Sequence, residues 1–353
     1  MISGFKKDFQ FYFPQKLTPK PKGKSWIYFC SEALLQTRSH RCYSDAIFNY
    51  IYLPYTTFNM PDKYSAVWVS HSSMGDFLKC PRLYYLHNMY KDGKTGHKIS
   101  IVSPHMSLGV SVHEVLEGLA EYPANERMKI DLRAKFEEAW LKVTGKKGGF
   151  TSAEEEEEFK MRGKEMINNV IKDPRFLANK CIKLKRDTMP CNFYLSEDHN
   201  IILNGLVDWI EYLPDTDTLH IVDFKTGKNE EKEGSLQLPI YLLLCNALQK
   251  RKVTKASYWY LESDKTVEAK LPDLETAEKN VLEIAMKVKE ARRFAKKDGV
   301  EKIFVCPNGP YNPETKEGGC FDCRPYEWII NGDDRAEPVG VGGFNQDIYI
   351  IKK

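Results

Sequence analysis

The sequence predicts an α/β (α+β) chain in which a central mixed sheet is flanked by helices and preceded by a helical N-terminal part. Three observations predict it. Apolar residues recur at helical spacing between about residues 70 and 172, the period changes to two between residues 181 and 225, and helical spacing then returns on both sides of one more strand-like run.

Residues 1 to 59 precede this pattern. They hold 14 of the 43 aromatic residues, with Lys/Pro punctuation at Pro14, Pro19 and Pro21 and no periodicity. They read as an extension without a folded role, Met60 standing where ordinary composition begins; the functional alternative is a basic, aromatic arm that stacks on single-stranded nucleic acid. The expected organisation is therefore an extension over 1–59, one domain over 60–330 and a tail over 331–353.

From Ser70, an N-cap of Ser70, Ser72 or Ser73 opens a helix carrying Met74, Phe77 and Leu78, followed by Cys80-Pro81 and an aromatic helical run from Arg82 to His87. A second helix, Ser107 to Tyr122, places Leu108, Val112, Val115, Leu116 and Leu119 on one stripe. Residues 124 to 172 read as two more helices, the later one opened by Thr151-Ser152-Ala153 and the glutamates 154 to 158, whose charges suit a helix N-terminus. Strands are expected over 181–195, 201–212 and 219–225, with turns at 196–200 and 213–218. A helix follows at Leu236 to Lys250, a strand at Ala256 to Glu262 and a long amphipathic helix from Leu274 to Lys297. The chain ends in a Gly/Pro/Cys loop, Cys306 to Pro325, and a Gly-rich segment.

Composition narrows the class. Of 353 residues 42% are hydrophobic, enough to bury a full core and to exclude disorder of the whole. The net charge of +3 is unevenly placed: residues 1–59 hold eight Lys/Arg against three acids, a surplus of +5, which leaves −2 for residues 60–353. Positive charge for any phosphate contact must then be local, at Lys183, Lys185, Arg186, Lys225, Lys228 and at Arg292, Arg293, Lys296 and Lys297. Nine irregularly spaced cysteines with no cleavable apolar segment before them argue against a disulfide scaffold. No run approaches the roughly 18 apolar residues of a membrane span. A soluble cytoplasmic protein without a membrane partner is expected.

The informative stretch is Asn204 to Tyr212 followed by Leu219 to Gly227. A turn centred between Asp215 and Thr216 pairs positions whose numbers sum to 431, so Asp208 faces Asp223. Like charges opposed in a ladder, with Cβ atoms about 4.5–5.5 Å apart, are destabilising. A hard divalent cation such as Mg²⁺ or Mn²⁺ between them would resolve the conflict. Lys225, two residues beyond Asp223, projects to the same face. The flanking Ile201, Ile202, Leu203, Leu206, Val207, Ile221 and Val222 bury both strands, and a buried Asp, Asp and Lys is costly without a task.

These residues, with Ser70 to Tyr85, Gly109 to Gly118 and Gln237-Leu-Pro-Ile-Tyr241, resemble in order the motifs of the RecB-like branch of the PD-(D/E)XK nuclease superfamily. That branch includes exonucleases and the nuclease domains of CRISPR-associated and AddB/RecB proteins. The resemblance spans about residues 66 to 330 and implies a restriction-endonuclease-like core. It implies that Asp208 and Asp223 ligate the metal, with the carbonyl of Phe224 as a third oxygen, and that Lys225 orients or helps deprotonate the attacking water. His113 would add a ligand or contact at a second metal position. Gln237 and Tyr241, four apart on one helical face, would orient Lys225 or hold the DNA backbone. The implied chemistry is phosphodiester hydrolysis. One departure stands out: where relatives often carry a glutamate on the preceding strand, this chain has Lys183, Lys185 and Arg186, with Asp187 the only acid near.

Some RecB-like nucleases hold a 4Fe-4S cluster with one early and three late cysteines, and Cys80, Cys306, Cys320 and Cys323 are similarly distributed. The fourth family cysteine beyond Cys323 is missing, so Cys306 would substitute from the other side. Four thiolates suit a cluster or Zn²⁺; the alternative is free thiols in a loop. The leading expectation is a metal-dependent, exonuclease-like deoxyribonuclease in DNA repair, recombination or CRISPR-type processing. A non-catalytic DNA-binding or scaffold subunit is the rival. No Gly-x-x-x-x-Gly-Lys-Ser/Thr loop is present, so unwinding would come from a separate helicase; a CRISPR adaptation protein is the other partner considered.

Overall fold

The computed structural model describes residues 62–184, 191–231 and 234–352. In chain order its elements are β1 (Val67–Val69), α1 (His71–Lys79), α2 (Pro81–Tyr84), β2 (Lys98–Ile101), α3 (Pro104–Gly118), α4 (Ala124–Arg127), α5 (Leu132–Trp140) and α6 (Ala153–Lys172). There follow β3 (Cys191–Ser196), β4 (Ile201–Gly205), β5 (Trp209–Leu213), β6 (Thr218–Lys225), α7 (Gln237–Leu248), β7 (Val253–Tyr260) and β8 (Lys265–Glu268). The last are α8 (Leu274–Asp298), α9 (Val300–Ile303), α10 (Arg324–Ile330), β9 (Ala336–Gly342) and β10 (Gln346–Ile351). The expected extension over 1–59 lies outside the described residues, as do Lys185, Arg186 and Asp187.

Helix starts follow side-chain chemistry. Ser70 and Ser73 form a reciprocal capping box at α1. Ser103 caps α3 with Pro104 at its first position, and Ser152 and Asp273 cap α6 and α8. The aromatic run after Cys80 is not one α-helix: α2 ends at Tyr84 and passes into a π-helical turn, Tyr85–Met89.

The central sheet has the order β5-β6-β7-β8. β5 and β6 are antiparallel, and β6 and β7 are parallel, joined through α7 as parallel neighbours require. Alternation along β6 sends Leu219 and Ile221 toward α7 and α8, and Val222 and Phe224 toward α3 and α6. Trp140, Trp209, Trp259 and Phe224 are fully buried; each large apolar side chain so buried contributes about 1.5–3 kcal/mol. Asp223 and Lys225 therefore belong to the face that carries α7, which sets up their contact with its first turn.

The sheet arrangement corrects the expected elements in three places. First, the described residues form three mixed sheets, since β1-β4-β3 and β2-β10-β9 accompany the central one. Second, residues 201–212 do not form one strand: β4 ends at Gly205 in one sheet, and β5 begins at Trp209 in another. Gly205 ends β4 where α7 packs closely, since a Cβ there would lie 2.9 Å from Leu244. Likewise, of the strand expected over 181–195, the described part is a single bridge, Cys181 to Glu211, and β3. Third, residues 331–353 are not a tail. β9 and β10 form a hairpin, and β10 pairs in parallel with β2, far away in sequence. The run Ile348-Tyr-Ile-Ile351 suits a strand, and pairing with distant β2 holds it in place.

Candidate active site

The β5–β6 pairing is the one the turn predicts: Trp209 opposes Val222 and Leu213 opposes Thr218. Asp208 and Asp223 are the next opposed positions outward. Asp208 has left the ladder, and its Oδ2 accepts the backbone N–H of Phe224 at 2.9 Å. Asp223 is 1% exposed, and its Oδ2 accepts from the Lys225 ammonium 2.8 Å away.

The first turn of α7 closes the site from one side. Gln237 Nε2 donates to Asp223 Oδ1 at 2.5 Å and to Tyr241 Oη at 3.1 Å, while its Oε1 accepts from Lys225 Nζ at 2.5 Å. One amide thus fixes the carboxylate and the ammonium together. Helix α3 closes the other side. His113 Nε2 meets the Phe224 carbonyl at 3.1 Å, and its Nδ1 lies 3.0 Å from Glu117 Oε1 and 3.7 Å from Asp208 Oδ2. Gly109, four residues before His113, lets α3 approach the chain just after β6, since a Cβ there would lie 3.3 Å from Thr226 Oγ1.

His113, Asp208, Asp223, the Phe224 carbonyl, Lys225, Gln237 and Tyr241 are thus brought together in one network. Two further acids join them that the sequence did not single out. Glu117 stands within 4.8 Å of both His113 and Asp208 through their ligand atoms. Its only signal was the His-x-x-x-Glu spacing, which puts both on one helical face. Glu231 lies 3.1 Å from Lys225 Nζ. Glu117 thus places, from a helix, a further carboxylate beside His113 and Asp208.

The electrostatics follow from burial and crowding. Asp208 is pushed up to about 8, first by burial and then by the charge of Asp223, against the pull of His113. Asp223 also stands above its ordinary value, because burial outweighs the attraction of Lys225. His113 rises to about 9: burial opposes its charge, but the hydrogen bond to Glu117 and the charge of Asp208 prevail. Lys225 is likewise raised, since Asp223 and Glu231 overcome its desolvation. It is a cation here and a donor, with no tendency to act as a base.

A carboxyl held above its unfolded value keeps in the folded chain a proton that the unfolded chain has released. The folded state therefore loses stability as pH climbs from near 4 through about 8. The contribution of His113 is complete below its ordinary range and is lost as pH rises through about 9, so the two trends share a sign. Without divalent metal the melting temperature should fall between roughly pH 6 and pH 9. Added Mg²⁺ or Mn²⁺ should raise it more at the alkaline end, where protons no longer compete. Calorimetry at several pH values checks this; a metal-free melting temperature that climbs over the range would contradict the site's charge arrangement.

A cleft of about 260 Å³ opens onto Asp208, lined also by Glu117, Cys181, Lys183, Leu206 and Trp209. Of the expected phosphate contacts, Lys183 pairs with Glu121 at 2.6 Å on this cleft. Lys228 is 72% exposed and stands 3.8 Å from Glu262. Arg292, Arg293, Lys296 and Lys297 lie on α8.

Away from this network, Cys80, Cys306, Cys320 and Cys323 converge, as their distribution in the sequence suggests. Their sulfurs all lie within 4.8 Å of one another, three of the four residues being buried. Cys80 is pulled down to about 5, chiefly by a hydrogen bond from the Cys323 thiol, which is held up by the same bond.

The family described as the PD-(D/E)XK nuclease superfamily has a model that matches residues 68–328 of this chain. No curated protein matches it. No described helix is long and apolar enough to cross a membrane.

Proposed function

The chain belongs to the PD-(D/E)XK nuclease superfamily, and from that membership we propose that it is a metal-dependent deoxyribonuclease that hydrolyses phosphodiester bonds, working from DNA ends in repair, recombination or CRISPR-type processing. The observation that carries this reading is the Asp208/Asp223 pair with Lys225 locked beside it by Gln237.

The donor set fits a hard divalent cation. The buried Asp223 Oδ2 faces the Lys225 ammonium, and His113, Glu117 and Asp208 already gather their ligand atoms. Asp208, Asp223, His113 and the Phe224 carbonyl would hold Mg²⁺ or Mn²⁺, which when bound polarises a phosphoryl oxygen and makes hydroxide available near neutral pH. The protein's own groups do the rest. Lys225 stays protonated and presents its ammonium to the attacking water or to a non-bridging phosphate oxygen, exchanging its contact with Glu231 for that partner. Gln237 keeps Lys225 and Asp223 in register, and Tyr241 keeps Gln237 in place. Lys183 and Lys228 offer charge to the flanking phosphates.

The test is cleavage of end-labelled single- and double-stranded DNA in Mg²⁺ or Mn²⁺. Lys225→Ala should lower the rate by about 10²–10³-fold, and Asp208→Ala should abolish it. Activity that survives both substitutions refutes the assignment of the site. DNA binding without turnover by the native chain would instead identify a scaffold subunit.

A further inference from the structure

The four-cysteine group is the second candidate metal centre of this chain, and its dimensions discriminate between ligands. A 4Fe-4S cube places each thiolate on a different iron, which holds the four sulfurs well apart. A single tetrahedral ion with bonds of about 2.3 Å draws them to about 3.8 Å from one another. Here every sulfur lies within 4.8 Å of every other, and Cys320 and Cys323 are 3.5 Å apart. The group is too small for the cube and close to the size of one ion.

Two further observations agree. Backbone N–H groups already point at the sulfurs: Leu83 to Cys80 at 3.5 Å, Cys320 to Cys323 at 3.3 Å and Cys323 to Cys320 at 3.4 Å. Such donors offset the negative charge of a four-thiolate site. A separate cleft of about 220 Å³ reaches Cys306 and Cys323 past Arg82 and Tyr311 and offers a way in for an ion.

We propose that Cys80, Cys306, Cys320 and Cys323 bind one structural Zn²⁺ in tetrahedral geometry, and not an iron–sulfur cluster. Binding replaces the thiol protons with four Zn–S bonds and transfers no electrons, so no oxidant or reductant takes part. All four positions are filled by protein, which leaves no place for substrate and makes the site structural. It ties the start of α2 to the segment before α10. The proposal does not depend on the nuclease reading.

The experiment is elemental analysis of the native full-length chain, expressed in cells supplied with both iron and zinc and purified without oxygen. The expected protein is colourless, carries one zinc per chain without acid-labile sulfide, and keeps it through dialysis against EDTA. Exchange to Co²⁺ should give thiolate charge-transfer absorption and the visible bands of a tetrahedral centre. Cys320→Ser should lose the metal, whereas Cys181→Ser, outside the group, should retain it. A brown protein containing iron and sulfide overturns the proposal. So does a metal-free native protein whose four thiols react freely with a thiol reagent.

Discussion

Asp223→Asn is expected to lose metal-dependent DNA cleavage by more than about a thousandfold while melting at the same or a higher temperature than the native chain in metal-free buffer near pH 8. The two halves of this result come from one cause. Asp223 is almost fully buried beside Asp208, and its carboxyl is raised above its ordinary value, which means that burial disfavours its charge more than Lys225 favours it. A neutral isostere keeps the Gln237 hydrogen bond at Oδ1 and removes the repulsion. It also removes a ligand, so the rise in melting temperature on adding Mg²⁺ should vanish. Activity and calorimetry on the same preparation decide the matter; a variant that is both inactive and markedly less stable would show that Asp223 serves the fold and not a cation.

Arg127→Met should cost about 3–5 kcal/mol of stability, read from urea unfolding. Arg127 ends α4 and is only 3% exposed. Its Nε donates to the carbonyls of Leu119 and Tyr122, both at 3.0 Å, and its Nη1 to those of Leu177 at 3.1 Å and Asn179 at 2.5 Å. Its Nη2 meets Cys181 Sγ at 2.9 Å, and the guanidinium lies over the Trp209 ring. Methionine fills the space but strands the carbonyls of Tyr122, Leu177 and Asn179, while that of Leu119 keeps the Tyr122 N–H; each stranded carbonyl costs about 1–3 kcal/mol. Since Trp209 directly follows Asp208, activity should fall as well. Arg127→Lys, with a single ammonium, should recover only part of the loss. A change under about 1 kcal/mol would mean that water replaces the guanidinium.

The Asp208 to Asp223 opposition was legible because a hairpin's register is set by its turn, and Pro214 to Asp217 marks that turn plainly. Lys225 followed from the pleat. Gln237 and Tyr241 were legible only through the resemblance, since nothing local distinguishes them from residues at a core edge. The passage from one sheet to another between Gly205 and Trp209 was not legible. Apolar residues continue through Leu206 and Val207, while in the fold β4 pairs with β1 and β3 and β5 pairs with β6. Glu117 was hidden because a glutamate in a helix is ordinarily a solvated one. The hairpin of β9 and β10 was hidden for a different reason: its Gly- and Pro-containing strand is an edge, where such residues are tolerated, and its register is supplied by β2. What a residue's neighbours in sequence determine could be read; what distant elements impose could not.

The joining of β2 to β10, and of Cys80 to Cys306, Cys320 and Cys323, has a consequence for synthesis. Both pairings join segments more than two hundred residues apart in sequence, so neither can form until nearly the whole domain has left the ribosome. Until then Leu83, Leu86 and Ile99, buried around the cysteines in the finished protein, have nothing to cover them. Such distant contacts make folding slow and leave apolar surface open to association meanwhile. The residues that close α1 and α2 are translated long after those helices, and the vulnerable interval lasts until they arrive.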